Sequence, residues 1–292
     1  MKKQVNFLII ALIIVGVFSF SACSFDEIKE NLYTNAAEQN DFSAIGDNGT
    51  DIVTETQENS DNTAKENLFS EDEEKNEDTT LFSRVDILLK ATVTGLNVRI
   101  APNASASILG RLSKGDLVAF YGEDNGWYTT FYKEKRGYVS AKYCEVMQFS
   151  KGDERTENIV EEGKKLLGHP YVWGSQRYHW GNGKLNTDFV AGEYDCSALM
   201  QYIFYKTDKT LLGLTSREQA NQGDKLDKSA LKRGDLMFFT NYSRKHLTGI
   251  ERVGHVGLYL GGNYIMHTAS DYACIEEISS VRWSYFMWGS RM

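Results

Sequence analysis

Hydrophobic and polar positions divide this sequence into four stretches of different character. Phe7 to Phe18 is an almost unbroken apolar run behind the positive Met1-Lys2-Lys3. From Ser24 to about Ser83 no hydrophobic period is visible, and Asn, Asp, Glu, Ser and Thr dominate. From about Leu88 to Met147 short apolar runs alternate with turn residues: Leu96 to Arg99, Ile108 to Leu112, Lys114-Gly115-Asp116, Leu117 to Tyr121, Asn125-Gly126-Trp127-Tyr128 and Gly137-Tyr138-Val139. Strands this short, punctuated by Gly and Asn-Gly, predict a small all-β barrel. From about Asp153 the period changes. Ile159, Val160, Gly163, Leu166 and Leu167 fall at helical spacing, with Gly168 and Pro170 as a stop. A second helical run carries Cys196, Leu199, Met200, Ile203 and Phe204. A third, short helix opens at Thr215-Ser216-Arg217-Glu218, where Ser216 with Gln219 also fits a capping box, and Gly223 ends it. Strand-like runs follow at Leu236–Phe239, Val253–Leu260, Tyr264–Thr268 and Ala273–Ile278. Helices first and a meander of strands after them predict an α+β fold.

Composition sharpens this picture. The chain has 292 residues, 41% hydrophobic and 25% charged, with mean hydropathy −0.41, which excludes a polytopic membrane protein. The formal charge of −8 conceals an asymmetry. Ser24–Ser83 holds 17 acids against 3 bases, including the block Glu71-Asp72-Glu73-Glu74, whereas Arg84 onward holds 27 bases against 23 acids. The acidic stretch lacks the apolar surface to offset ordering entropy and reads as a solvated tether over 23–83. The +4 of the remainder is too weak a field for nucleic acid, so no nucleic-acid partner is expected. The apolar run has the length of a signal-peptide core, and Phe20-Ser21-Ala22-Cys23 resembles the bacterial lipoprotein cleavage box. That resemblance implies a signal peptide over 1–22, lipidation of Cys23 and an extracytoplasmic chain held by a lipid anchor; the alternative is an uncleaved membrane anchor. Both place the remainder outside the cytoplasm.

Four cysteines and five histidines carry the candidate chemistry. With Cys23 lipidated, Cys144, Cys196 and Cys274 remain, and at least one must be unpaired within the chain. Cys196 opens the second helix, where free N–H groups and the macrodipole favour an anion. A histidinium nearby would depress its pKa further, so a reactive thiolate is expected. Among the histidines, His255 alternates with Gly257 and Tyr259 on one strand face, and His267 returns on the next strand after Gly261-Gly262. A two-residue loop would put the two histidines on opposite faces. A catalytic pair therefore requires an odd-length loop or a bulge. No Cys-x-x-Cys or His-Glu-x-x-His spacing occurs, so no metal and no cofactor is expected.

Two resemblances follow. Leu96-Asn97-Val98-Arg99, Lys114-Gly115, Gly126-Trp127-Tyr128 and Gly137-Tyr138-Val139 resemble the bacterial SH3 domain, whose members grip peptidoglycan or pack against an adjoining catalytic domain; Trp127 and Tyr128 are equally core or ligand platform. Tyr171-Val172-Trp173-Gly174, Asp195-Cys196-Ser197, Thr215-Ser216 with Gln219, Arg233 to Phe239, Gly254-His255-Val256-Gly257 with Tyr259, and Ile265-Met266-His267 resemble the NlpC family of papain-like cell-wall cysteine peptidases. This implies an SH3-like barrel over 84–148 and a peptidase domain over 152–292, its nucleophile helix packed on an antiparallel sheet. It further implies Cys196 as nucleophile, His255 as general base, His267 as its orienting partner, and Tyr171, Asp195 and Ser197 as substrate contacts. The expected substrate is the peptidoglycan stem peptide, cut after γ-D-glutamate by a monomer through a thioester. A muramoyl-L-alanine amidase and an inactive wall-binding lipoprotein are the alternatives. The stretches Ser175–Glu193 and Asn241–Arg252 are longer than the family pattern and are expected to wall or cover the groove.

Overall fold

A computed structural model describes residues 84–269 and 271–292. The signal-peptide reading, the lipidation of Cys23 and the acidic tether lie outside these described residues.

The first part is all-β: β1 (Val85–Ala91), β2 (Leu96–Arg99), β3 (Ile108–Leu112), β4 (Leu117–Ala119), β5 (Glu123–Asp124), β6 (Trp127–Tyr132), β7 (Lys135–Ser140) and β8 (Cys144–Ser150). Strands β3-β2-β7-β6-β5 form one antiparallel sheet. Asn125 and Gly126 take the positive φ values, 49° and 80°, that join β5 to β6, as an Asn-Gly hairpin requires. Tyr128 is buried against Phe120, with ring centroids 5.3 Å apart, so it belongs to the core; Trp127 is half-buried. The β region also extends further each way than the turn pattern indicates. β1 starts three residues before Leu88 and pairs over its whole length with β8, from Val85 opposite Ser150 to Ala91 opposite Cys144.

The second part begins with α1 (Glu154–Lys165), capped by the Asp153 carboxylate accepting from Thr156 N at 2.8 Å. It continues with α2 (Cys196–Asp208) and α3 (Ser216–Gln219). The cap of α3 is Thr215, whose hydroxyl accepts from Glu218 N, rather than Ser216. Gln219 turns inward and donates to Ser197 O and Gly213 O, both at 2.9 Å. There follow β9 (Asp224–Leu226), β10 (Leu236–Phe239), β11 (His255–Gly261), β12 (Tyr264–Ala269), β13 (Tyr272–Glu277), α4 (Ser280–Ser284) and β14 (Phe286–Arg291).

The result is an α+β fold in which one antiparallel sheet spans both parts, in the order β8-β1-β4-β13-β12-β11-β10-β14-β9. The junction is Ile275 of β13 opposite Leu117 of β4. α1 and α2 cover one face, burying Val256, Leu258, Leu260 and Met266 with Leu199 and Ile203. A smaller cluster of Met237, Phe239, Ile265 and Ile278 lies under Trp283 and Phe286. Gly168 shows why the sequence places a glycine between α1 and the site: its φ is +88°, and a Cβ there would strike the Tyr132 ring. A buried ionic cluster ties β1 to α1 and to the loop before β10. Asp86 accepts from Lys164 at 2.9 Å and from Arg233 at 2.5 Å, and Arg233 also binds Glu157 at 2.8 Å.

Candidate active site

Cys196 is the first residue of α2, and Asp195 is its N-cap, accepting from Ala198 N at 2.8 Å. The thiol is 8% exposed. Backbone N–H groups of Val256 and Ser197 hydrogen-bond to its sulfur, and Arg177 adds a favourable charge. Burial first, and then the Asp195 carboxylate, outweigh these and push the thiol up to about 11. The expected depression of the thiol pKa is therefore corrected: at rest Cys196 is a neutral thiol. Neither Cys144 nor Cys274 is in a disulfide, and burial raises both thiols as well.

The two histidines meet because of a bulge. Leu258 pairs with Met266 and Tyr259 with Ile265, but Gly261 pairs with Tyr264, so Leu260 is an extra residue on β11. The turn itself has only two residues, Gly262 and Asn263, at φ 55° and 73°. The bulge supplies the odd count that puts His255, Gly257 and His267 on one face. A Cβ on Gly257 would come within 3.0 Å of the His267 Cβ, so glycine leaves the space the ring pair uses.

His255 Nε2 lies 2.8 Å from His267 Nδ1, and His267 Nε2 lies 3.1 Å from Glu276 Oε1. Arg282 donates to the same Glu276 oxygen at 2.8 Å. The hydrogen bond from His267, with the nearby Arg282 charge, outweighs burial and lowers the Glu276 pKa, so this carboxylate is ionised and only accepts. His267 must then carry its proton on Nε2, its Nδ1 must accept, and His255 must donate from Nε2. The one lone pair left in the chain is His255 Nδ1. Burial lowers the pKa of both rings, and the neighbouring His267 and Arg282 press His255 lower still, so both are neutral. Phe239 flanks His255, with ring centroids 6.0 Å apart.

Tyr171, Asp195 and Ser197 are gathered at the same end of α2. Tyr171 bridges to Tyr194, and burial together with the charges of Cys196 and Asp195 raises its hydroxyl pKa. Asp195 and Ser197 are buried and already engaged. Ser197 Oγ donates to Asp195 Oδ1 at 2.9 Å, while Arg177 Nη2 reaches Asp195 Oδ2 at 2.8 Å and Ser197 Oγ at 3.2 Å. Arg177 comes from the long 175–193 stretch, which is anchored on α2 by Tyr178 against Tyr202 and by buried His179 against Tyr205. The stretch leaves Trp173 and Trp180 exposed and borders a cavity of about 410 Å³ beside Arg177 and Thr215. A larger cavity, about 460 Å³, lies not over Cys196 but beside Cys274 and Glu276. Glu276 and Arg282 are not singled out by the sequence, strand alternation after Cys274 being the only signal for Glu276; Arg177 is legible there only as part of the basic, aromatic Arg177-Tyr178-His179-Trp180 stretch expected to wall the groove.

Residues 168–292 match the model of the NlpC/P60 family, and residues 94–145 match that of the bacterial SH3 domain. Residues 168–292 are thus similar to NlpC/P60 domains. Its relatives include the gamma-DL-glutamyl hydrolase of Bacillus subtilis, 27% identical over 180 residues, which cover 61% of this chain and 37% of that protein. The probable endopeptidase NlpC homolog of Haemophilus influenzae is 36% identical over 109 residues, 37% of this chain and 50% of the relative. The chain thus spans half or less of either relative's length. Among solved structures, an NlpC/P60 family protein from Bacillus cereus aligns over 74% of this chain and 66% of its own, with 19% identity and a TM-score of 0.37. The NlpC/P60 match begins at Gly168 and so takes in Cys196, His255, His267 and the Arg177 stretch, while α1 precedes it.

Proposed function

We propose that this chain is a peptidoglycan hydrolase, a cysteine peptidase that cleaves the stem peptide between γ-linked D-glutamate and the following diamino acid. The observation that carries the reading is the chain of hydrogen bonds His255–His267–Glu276, which leaves one basic nitrogen free, in a domain whose nucleophile candidate opens a helix. The activities for which the relatives are named, glutamyl hydrolase and endopeptidase, support the substrate class.

The neutral resting state defines the mechanism. His255 Nδ1 takes the Cys196 proton as the sulfur attacks the scissile carbonyl, so charge develops only in the transition state, as in a serine-type dyad. His267 accepts from the imidazolium through Nδ1 and is itself held by Glu276. The Cys196 backbone N–H at the start of α2 donates to the oxyanion, worth about 3 kcal/mol by analogy with other such donors. His255 then returns the proton to the leaving amine, and water, deprotonated by the same nitrogen, hydrolyses the thioester. Tyr171 borders this centre. Arg177 holds Asp195 and Ser197 in place and presents a cation beside the groove, suited to the free α-carboxylate of a γ-linked glutamate. The lipid anchor at Cys23 and the acidic tether hold the domain at the outer membrane surface within reach of the wall.

One observation favours a second reading. A thiol raised to about 11 is what a wall-binding domain without turnover would also have. Digestion of purified peptidoglycan by the full chain and by Cys196→Ala, with fragment masses read out, separates the readings. Fragments ending in γ-D-glutamate from the intact chain alone support the peptidase. Release of whole stem peptides instead identifies an amidase, and binding without release identifies the wall-binding protein.

A further inference from the structure

Beyond the histidine pair three different donor types converge. A His267 ring nitrogen, Cys274 Sγ and a Glu276 carboxylate oxygen all lie within 4.8 Å of one another, and Nε2 is the nitrogen that faces Glu276, 3.1 Å from its Oε1. Sheet register brings them together: His267 on β12 sits opposite Cys274 on β13, and Glu276 is two residues further on the same face. Imidazole, thiolate and carboxylate are the side chains that ligate zinc and similar first-row dications, and three protein ligands with an open fourth position form a workable site. A route exists as well. The cavity of about 460 Å³ is bordered by Cys274 and Glu276, and its walls carry four carboxylates against three cations. Arg282, one of those cations, already donates to Glu276, so it weakens such a site without closing it. Cys274 has no part in the proposed reaction.

We propose that His267, Cys274 and Glu276 form a binding site for a borderline-soft divalent cation such as Zn²⁺, and that filling it switches the histidine pair off. The site stands on geometry alone; the switch rests on the peptidase reading. On binding, the Cys274 thiol loses its proton to solvent as the sulfur–metal bond forms, and Glu276 exchanges the His267 N–H for the metal. His267 gives its Nε2 lone pair to the metal, so its ring proton resides on Nδ1. That N–H now donates to His255 Nε2, and the proton of His255 resides on Nδ1 instead. The pair keeps its two ring protons, but the nitrogen that must receive the Cys196 proton is already occupied.

The probe is Co²⁺, titrated into the full-length Cys196→Ala chain. The expected result is one equivalent bound with a thiolate-to-cobalt charge-transfer band, absent when Cys274→Ser is added, and an affinity lowered by about tenfold or more in Glu276→Gln, with the band retained. A band that persists without Cys274, or none at millimolar Co²⁺, overturns the site. In the chain with Cys196 intact, Zn²⁺ should inhibit wall digestion, and Cys274→Ser should raise the half-inhibiting concentration about tenfold or more while digesting normally without metal. Equal inhibition of both overturns the switch. If neither digests wall, the peptidase reading fails, and the cobalt result still decides the site.

Discussion

Arg177 Nη2 lies 2.8 Å from Asp195 Oδ2 and spans the gap between the long 175–193 stretch and the N-terminus of α2. Asp195 is both the cap of α2 and a charge that raises the Cys196 thiol. The guanidinium therefore screens that charge where it does most harm. Arg177→Ala should lower kcat/KM by about 10- to 100-fold, since it strips a buried carboxylate of its partner. Arg177→Lys, which keeps charge but loses the planar fork, should fall between. Steady-state kinetics on a soluble stem tripeptide would check this; an unchanged Arg177→Ala rate would remove Arg177 from the site.

Alkylation reports the thiol directly. With Cys196 pushed up to about 11 by burial and Asp195, iodoacetamide should modify it at a rate still climbing about tenfold per pH unit through pH 9, because only thiolate reacts. A plateau already reached near neutrality would mean a resting thiolate–imidazolium pair and a different first step.

Glu276 fixes the proton order of the histidine pair from 3.1 Å away. Glu276→Ala should cut kcat by about 100-fold with KM little changed, as the wrong tautomer becomes available. Glu276→Gln keeps an acceptor for His267 and should lose about tenfold or less. A purely structural role would neither separate these two variants nor change the ¹⁵N NMR signature of the histidine rings.

The Asp86 cluster makes an acid-stability prediction. Burial raises this carboxyl, but Lys164 and Arg233 outweigh it and hold the pKa below its usual value. A depressed folded pKa contributes stability that is full above the unfolded value of about 3.9 and is lost as pH falls through the folded one. Asp86→Asn should cost about 3–5 kcal/mol at neutral pH by leaving two buried cations short of a partner. It should also flatten the acid limb of a denaturation series; an unchanged midpoint would show the cluster to be neutral in effect.

If Cys23 is the lipidated N-terminus, the chain should take up fatty-acid label and Cys23→Ala should abolish that labelling. A wild-type chain that fractionates with membrane yet takes up no label would point to the uncleaved anchor.

Much of this site could be read from residue order, and the limits have physical causes. Alternation along Gly254 to Leu260 put His255 and Gly257 on one face, and the same parity argument required an odd-length loop or a bulge, of which the structure has the bulge, at Leu260. Cys196 could be placed at a helix start because Asp195 is a good cap. β9 and β14 escaped because edge-side strands such as Asp224-Lys225-Leu226 carry no apolar alternation, and their pairing is set by the register of Leu226 opposite Gly289. The extent of β1 escaped because Val85–Ala91 is recognisable as a strand only once β8 is alongside. Glu276, and the landing of Arg177 on Asp195, escaped for a stronger reason. A long loop's landing point and a cross-strand neighbour are tertiary facts, and no local spacing encodes that His267 faces Cys274. Spacing along the sequence does not reveal the His267–Cys274–Glu276 group for the same reason.

The junction of Ile275 with Leu117 has one more consequence. Strip away residues 84–148 and β13, the strand that bears Cys274 and Glu276, loses its neighbour at Ile275, so that end of it becomes an open sheet edge, while Ala273 stays paired with Gly168 and His169. The small barrel is thus the selvedge of the sheet that bears the histidines, and residues 152–292 cut loose from it should aggregate through the strand that steadies those histidines.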